Sequence, residues 1–263
     1  MKRLLLASMA LLALTGAQAA MAADMPPGVV YPVLPPQPFT FTGFHVGGTV
    51  GGALGSSKYT ETPTGAFIAA GPNVISNIAA VGKSSTAPRG VIGGAELGYD
   101  WQVGHFVLGF ETDFSGWDMS SSAGVTGFGT PGPPATTFSS TIATKSNWLF
   151  TARPRAGFVN GNMLLYLTGG LAVSSIDFSQ SILLGGTGPT LAGSSSSTQA
   201  GWTAGGGIEY ALSWNWMIKA EYLYVRFPNQ SVAQVDSAAP AATGTATGNL
   251  TASILRAGFD YRF

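Results

Sequence analysis

Few residues in this chain could do chemistry, and three groupings among them invite a test. Glu111 and Asp113 are carboxylates two residues apart. On a strand they share a face, an arrangement a general acid and base can use if their surroundings push their pKa values apart. Arg153 and Arg155 repeat that spacing with opposite charge, and because a buried charge needs a partner, mutual neutralisation is the better expectation. His45 and His105 are the two histidines. They fall on different segments, near opposite ends of the fold expected below, which argues against a His-based metal site or triad. Gly127-Phe128-Gly129-Thr130-Pro131-Gly132 has the letters of a dinucleotide-binding turn. That turn needs a strand before it and a helix after it, yet Pro133-Pro134 follow, so a loop is expected. With no cysteine in the chain, thiolate metal sites, Cys nucleophiles and disulfides are all removed. The sequence points to no catalytic site, no metal and no cofactor.

The bulk of the chain must therefore explain itself by its surroundings. Of 263 residues only 9% are charged and 45% are hydrophobic, with twelve bases balancing twelve acids. A soluble domain carries about a quarter charged residues, so something other than water is expected around part of this one. A neutral chain has no basic excess for phosphates, which excludes nucleic acid as a natural partner. Lys2 and Arg3, then Leu4 to Leu14, then Ala20-Met21-Ala22, have the basic, apolar and small-residue order of a secretory signal. Cleavage is expected to remove residues 1–22, leaving a Pro-rich linker over 23–41 and a single domain over 42–263. A spanning helix needs about 20 consecutive apolar residues. Ala66 to Gly82 and Met163 to Ile176 come nearest, but Gly71-Pro72 breaks the first and Gly169-Gly170 interrupts the second, which is also short.

Eight segments with spacing-two patterning follow: Thr42 to Gly55, Gly90 to Gln102, Phe106 to Trp117, Asn147 to Val159, Met163 to Phe178, Gly201 to Ala211, Asn215 to Phe227 and Leu250 to Phe263. Short links at Val103 to His105, Asn160 to Asn162 and Leu212 to Trp214 alternate with long stretches at Ser56 to Arg89, Asp118 to Ser146, Ser179 to Ala200 and Pro228 to Asn249. Strict alternation of short and long connections is the mark of an outer-membrane barrel, with periplasmic turns and extracellular loops. The expected fold is all-β, an eight-stranded antiparallel up-and-down transmembrane β-barrel with four long loops on one side and short turns on the other. The long stretches, rich in Ser, Thr, Gly and Ala, are expected to be solvated and mobile.

Parity assigns the faces. Glu96, Asp100 and Gln102 oppose Ala95, Leu97, Tyr99 and Trp101; Glu111 and Asp113 oppose Phe106, Leu108, Phe110 and Phe114; Arg153 and Arg155 oppose Trp148, Phe150, Ala156 and Phe158. Glu209, then Lys219 and Glu221, then Arg256, Asp260 and Arg262, likewise stand opposite Ile208 and Tyr210, Trp216, Ile218, Tyr222 and Tyr224, and Leu255, Ala257, Phe259, Tyr261 and Phe263. A charge facing lipid near the midplane costs roughly 2 to 4 kcal/mol, so the charged face is the inner one. Eight strands enclose room only for side chains or one small ligand, and the expectation is a lumen plugged by ion pairs. Gly93, Gly94, Gly205, Gly206 and Gly207 are expected to relieve crowding, and Trp101, Trp148, Trp202, Trp216, Tyr261 and Phe263 to form interfacial girdles. Pro154 lies within a predicted strand of a closed barrel, where its missing N–H implies either a bulge or a segment boundary that falls elsewhere.

The post-signal Ala-Ala-Asp-Met-Pro-Pro, Thr42-Gly43-Phe44-His45-Val46-Gly47-Gly48, Gly93 to Gln102, Gly109 to Phe114, Arg153 to Phe158, Lys219-Ala220-Glu221-Tyr222 and Arg256 to Phe263 together resemble the small porin-like outer-membrane proteins of alphaproteobacteria, within the wider OmpA-type and opacity-type barrels. The resemblance covers nearly every strand and none of the long stretches, and departs from the family at Pro154. It implies an outer-membrane location with lipid around the wall. It also implies recognition of the closing aromatics Phe259, Tyr261 and Phe263 by the barrel-assembly machinery, and a role in envelope integrity or surface and host interaction through the loops. A narrow channel for small solutes is the alternative, and a lipid-acting barrel enzyme is a third reading; no Ser and His pair on the wall supports it.

Overall fold

The computed structural model describes residues 39–66, 68, 72–128, 137–184, 190–236 and 240–263. The signal over 1–22, the linker up to residue 38, and residues 129–132 of the glycine-rich loop lie outside them. Ten strands and one helix follow in chain order: β1 (Gly43–Gly65), α1 (Pro72–Gly82), β2 (Ser84–Thr86), β3 (Arg89–Val103), β4 (Phe106–Phe128), β5 (Thr137–Asn160), β6 (Met163–Leu184), β7 (Thr190–Ala211), β8 (Trp216–Arg226), β9 (Gln230–Asp236) and β10 (Ala242–Arg262).

All pairings are antiparallel, and β1 pairs with β10 from His45↔Arg262 to Gly65↔Ala242, which closes the sheet on itself. Ten strands occupy eight positions in the wall. β2 continues the β3 position beside β1, with Ser57↔Thr86 following Leu54↔Arg89. β9 continues the β8 position, flanked by β7 and β10. The breaks fall at Ala87-Pro88 and at Phe227 to Asn229, where prolines withhold the N–H that a ladder needs. Gly104 and Gly161 sit at φ of 61° and 62° in two-residue turns at the short-turn end, a conformation that disfavours a Cβ.

The outer surface records the bilayer. On β1 the outward side chains Phe44, Val46, Val50 and Leu54 are exposed and apolar, and Ser56, Lys58, Thr60, Thr62 and Thr64 then replace them. Ten residues at about 3.3 Å, tilted by about 40°, rise roughly 25 Å, which is the height of an outer-membrane apolar band. β10 changes between Leu255 and Ser253, and β6 between Val173 and Ser175. Above this line the strands continue. β1 has 23 residues and β5 has 24, so they run roughly 60 Å along the axis, about twice what the bilayer requires.

This extension corrects the four long loops. Among the described residues of Ser56 to Arg89, Asp118 to Ser146, Ser179 to Ala200 and Pro228 to Asn249, most outside α1 are paired strand. The reason lies in the face pattern. Tyr59, Ile142, Phe178, Ile182, Leu191 and Val232 point inward and are buried, while outward positions hold Ser and Thr where the bilayer part holds Phe and Leu. A hydroxyl-bearing outer face keeps the period of two but loses the apolar contrast by which a membrane strand is recognised.

The expected bulge at Pro154 is also corrected. Pro154 pairs with Phe110 in unbroken register, and towards β6 the register is the same on either side of it, from Ala152↔Leu171 to Arg155↔Thr168. Beside it Gly170 leaves no room for a Cβ against the Ala152 carbonyl, and the Thr168 hydroxyl donates to the Pro154 carbonyl at 3.0 Å. The register slips instead at Asn147-Trp148, on both edges of β5. There the inward set changes from Leu149, Thr151 and Arg153 to Ser146, Thr144 and Ile142.

Candidate functional site: the charged tier of the lumen

Inside the barrel the side chains form three tiers. At the short-turn end Phe41, Val107, Val159, Leu164, Tyr166, Ala211 and Met217 make an apolar cluster backed by Phe39. Far above, a larger cluster includes Ala53, Tyr59, Ile92, Trp117, Met119, Leu149, Ile176, Phe178, Leu223 and Ile254. Between them lie the charges. The same inward parity supplies all three tiers.

Four cations organise the charged tier. Arg153 donates from Nη2 to Glu111 Oε1 at 2.6 Å and Asp113 Oδ2 at 3.1 Å, and from Nη1 to Glu221 Oε1 at 3.0 Å. Arg155 forks onto Asp100, with Nε to Oδ1 at 2.8 Å, and reaches Glu111 Oε2 at 3.2 Å and Glu209 Oε2 at 3.1 Å. Lys219 contacts Glu96 and lies 3.0 Å from Glu111 Oε2. Arg256 meets Asp113 Oδ1 at 3.0 Å and Glu221 Oε2 at 2.7 Å. Each contact crosses the lumen or links neighbouring strands, and every side chain named is buried. Charge-assisted, multidentate contacts of this kind are the strong class of hydrogen bond.

Two residues of the expected network stand apart. Asp260 is buried, yet neither carboxylate oxygen has a hydrogen-bond partner among the described residues. Arg262 lies at the short-turn mouth, donating to the Trp214 carbonyl at 2.6 Å with its guanidinium 4.4 Å from the centre of the Phe39 ring. Of the expected pairing, Arg153 takes both Glu111 and Asp113, whereas Arg155 takes Glu111 but not Asp113.

Sequence reasoning missed His45 and Tyr166. His45 is buried, with Nδ1 3.6 Å from Asp100 Oδ2 and Nε2 3.7 Å from Glu111 Oε2. The Tyr166 hydroxyl donates to Glu221 Oε1 at 3.1 Å. Parity could have placed both inward, but His45 lies between the inward glycines Gly43 and Gly47 and Tyr166 sits in an apolar segment, so neither stood out. The long side chains fit because small residues face them. A Cβ at Gly98 would overlap the His45 ring, one at Gly47 would overlap Asp260, and one at Gly258 would come within 2.8 Å of the Lys219 stem. Of the glycines predicted to relieve crowding, Gly94, Gly205, Gly206 and Gly207 abut neighbouring backbone too closely for a Cβ, while Gly93 has ordinary contact room.

A closed antiparallel wall with an apolar outer band and buried interior charge is the solution lipid imposes on strands. The family described as outer membrane protein beta-barrel domain matches residues 8–263. This chain belongs to that family. It is 33% identical over 239 residues to the 31 kDa outer-membrane immunogenic protein of Brucella melitensis, covering 90% of this chain and 92% of the relative. It is 28% identical over 135 residues to the 22 kDa outer membrane protein of Rhizobium leguminosarum, 51% of each chain. Among solved structures it is similar to the Pseudomonas aeruginosa outer membrane protein OprG, with a TM-score of 0.40 and 11% identity over 84% of this chain and 96% of that one. The alphaproteobacterial resemblance is thereby confirmed, and the protein is placed in the Gram-negative outer membrane.

Proposed function

We propose that this outer-membrane barrel is closed, and that it serves envelope structure and presents its extracellular extension as a surface for interaction. The observation that carries the reading is the filling of the lumen, in which a charged tier is sealed by an apolar tier at each end. Ions crossing it would have to break contacts made in a dry interior, where charge is expensive to leave unpaired. The Brucella relative is named immunogenic, which fits a surface accessible from outside. Both histidines have structural surroundings, His45 among carboxylates and His105 with Nδ1 3.1 Å from the Val159 carbonyl oxygen, and this supports a non-enzymatic role. Lipid is the partner of the outer band. The assembly machinery is the partner of Phe259, Tyr261 and Phe263; Phe259 and Phe263 are exposed on the lipid face, and all three lie at the short-turn end. The test is planar-bilayer recording on pure folded protein, with silence expected; large steady conductance, or liposome swelling with small sugars, would establish the narrow channel instead.

A further inference from the structure

In the extension, well above the apolar band, one carboxylate has been left without a partner. Glu61 points inward from β1 and is only 5% exposed, and neither of its oxygens is hydrogen-bonded among the described residues. Gln234 points inward from β9, is wholly buried, and leaves both its amide oxygen and its amide nitrogen unused. The strand between them is β10, where Gly244 pairs with Pro63 on one side and Gln234 on the other. A Cβ at Gly244 would overlap Glu61 Oε1 and lie 3.5 Å from Gln234 Oε1. The glycine therefore leaves the gap in which acid and amide face each other. Gly82, the last residue of α1, rests against Cβ and Cγ of Glu61, and Gln180 of β6 flanks it.

We propose that Glu61 and Gln234 form a proton-dependent latch under α1. A neutral carboxyl and a primary amide satisfy one another in a ring: the acid O–H donates to the amide oxygen, and the amide N–H donates to the acid carbonyl. Four idle atoms are paired at the cost of one proton. A metal ion at the same place would leave the Gln234 N–H idle, because that group only donates. Ionised, Glu61 can accept the amide N–H but leaves Gln234 Oε1 without a donor, and it becomes a buried charge, which is unfavourable without a cation. α1 carries no ionisable residue, nor does β10 between Ala242 and Gly248. The other inward ionisable groups around it are Asp236 of β9, which has an interaction of its own, and Tyr59 of β1, whose hydroxyl meets Thr144 and the Ala143 carbonyl. Lys83, just after α1, and Lys145 of β5 are exposed. Burial pushes Glu61 up to about 7. A raised carboxyl stabilises the folded extension fully below its unfolded value near 4.5, and that stabilisation is lost as pH rises through about 7. Alkaline conditions should therefore loosen α1 from the extracellular mouth while the membrane part stays closed.

The experiment is amide hydrogen exchange on the full-length folded barrel at about pH 5 and about pH 9, corrected for intrinsic rates. A shift from 4.5 to about 7 sets a ceiling of roughly 300-fold on one proton's effect, and at least a tenfold faster opening of α1 at the higher pH is expected. Glu61→Gln, which pairs with Gln234 without a proton, should hold α1 closed at both, while Asp236→Asn should behave as the natural protein does. An α1 that opens equally at both pH values, or a pH response that survives Glu61→Gln, overturns the latch. Protection restored at high pH by calcium, and absent in Glu61→Gln, overturns it in favour of a cation site. Should Glu61→Gln fail to fold, the infrared carbonyl stretch of a protonated carboxyl decides. It should vanish from the natural protein as pH rises, and Asp236→Asn should leave that loss unchanged.

Discussion

At the level of single residues the lumen separates charges that are held from a charge that is not. Arg153 touches three carboxylates at 3.1 Å or less, so Arg153→Met takes a cation from each and leaves them to Arg155, Lys219 and Arg256; removing one partner of a buried pair costs about 3 to 5 kcal/mol, and the low end of that range is expected here. A lower temperature for the gel shift from folded to unfolded mobility is the expected reading. Asp260 presents the opposite case, because its buried oxygens have no hydrogen-bond partner. Asp260→Asn keeps the shape and removes a buried carboxylate that has no hydrogen-bond partner among the described residues, so it should leave that temperature unchanged or raise it, whereas Asp113→Asn, which gives up contacts to Arg153 and Arg256, should lower it. The charged residues were legible because a period of two and the cost of charge in lipid fix their face without further information. Their partners were not, because which carboxylate an arginine meets across a lumen depends on strand stagger. Arg262 shows the limit: it has the inward parity but sits at the mouth, one residue from the chain end.

At the level of elements, register carries more weight than propensity. The slip at Asn147-Trp148 changes which β5 residues face inward. Deleting Asn147 removes the extra residue between inward Ser146 and inward Leu149, which restores the period of two against β6 with Ile142, Thr144 and Ser146 still inward, and the chain is expected to keep its heat-modifiable folded band. Pro154→Ala should move stability by no more than about 0.5 kcal/mol, the range of a substitution that breaks no named interaction, since the wall is already arranged around the missing N–H. The eight positions in the wall were readable from aromatic and charged alternation. The upper halves of the strands were not, because Ser and Thr on the outer face resemble loop composition, and the bulge escaped because Asn147 marks the start of the predicted segment. Proline drew attention to itself, while the two residues that do shift the register carry no sequence signal of a bulge.

For the whole molecule, the wall is a barrel about twice as tall as its membrane, filled by side chains at three levels. That geometry underlies the expected silence in bilayer recording. It also predicts that salt will do little to the melting behaviour, because screening acts on exposed charges and these are buried; a steep dependence on ionic strength would show water reaching the charged tier. One more consequence follows from the paired extension. What an approaching antibody meets above the bilayer is largely a ribbed cylinder on which some neighbouring ridges come from segments distant in the chain, such as Thr60 beside Thr247 and Thr62 beside Thr245. Epitopes on that cylinder are assembled from several ridges at once, so synthetic peptides copied from any one ridge should compete poorly for antibodies raised against the purified folded barrel, and boiling the protein should erase most of their binding.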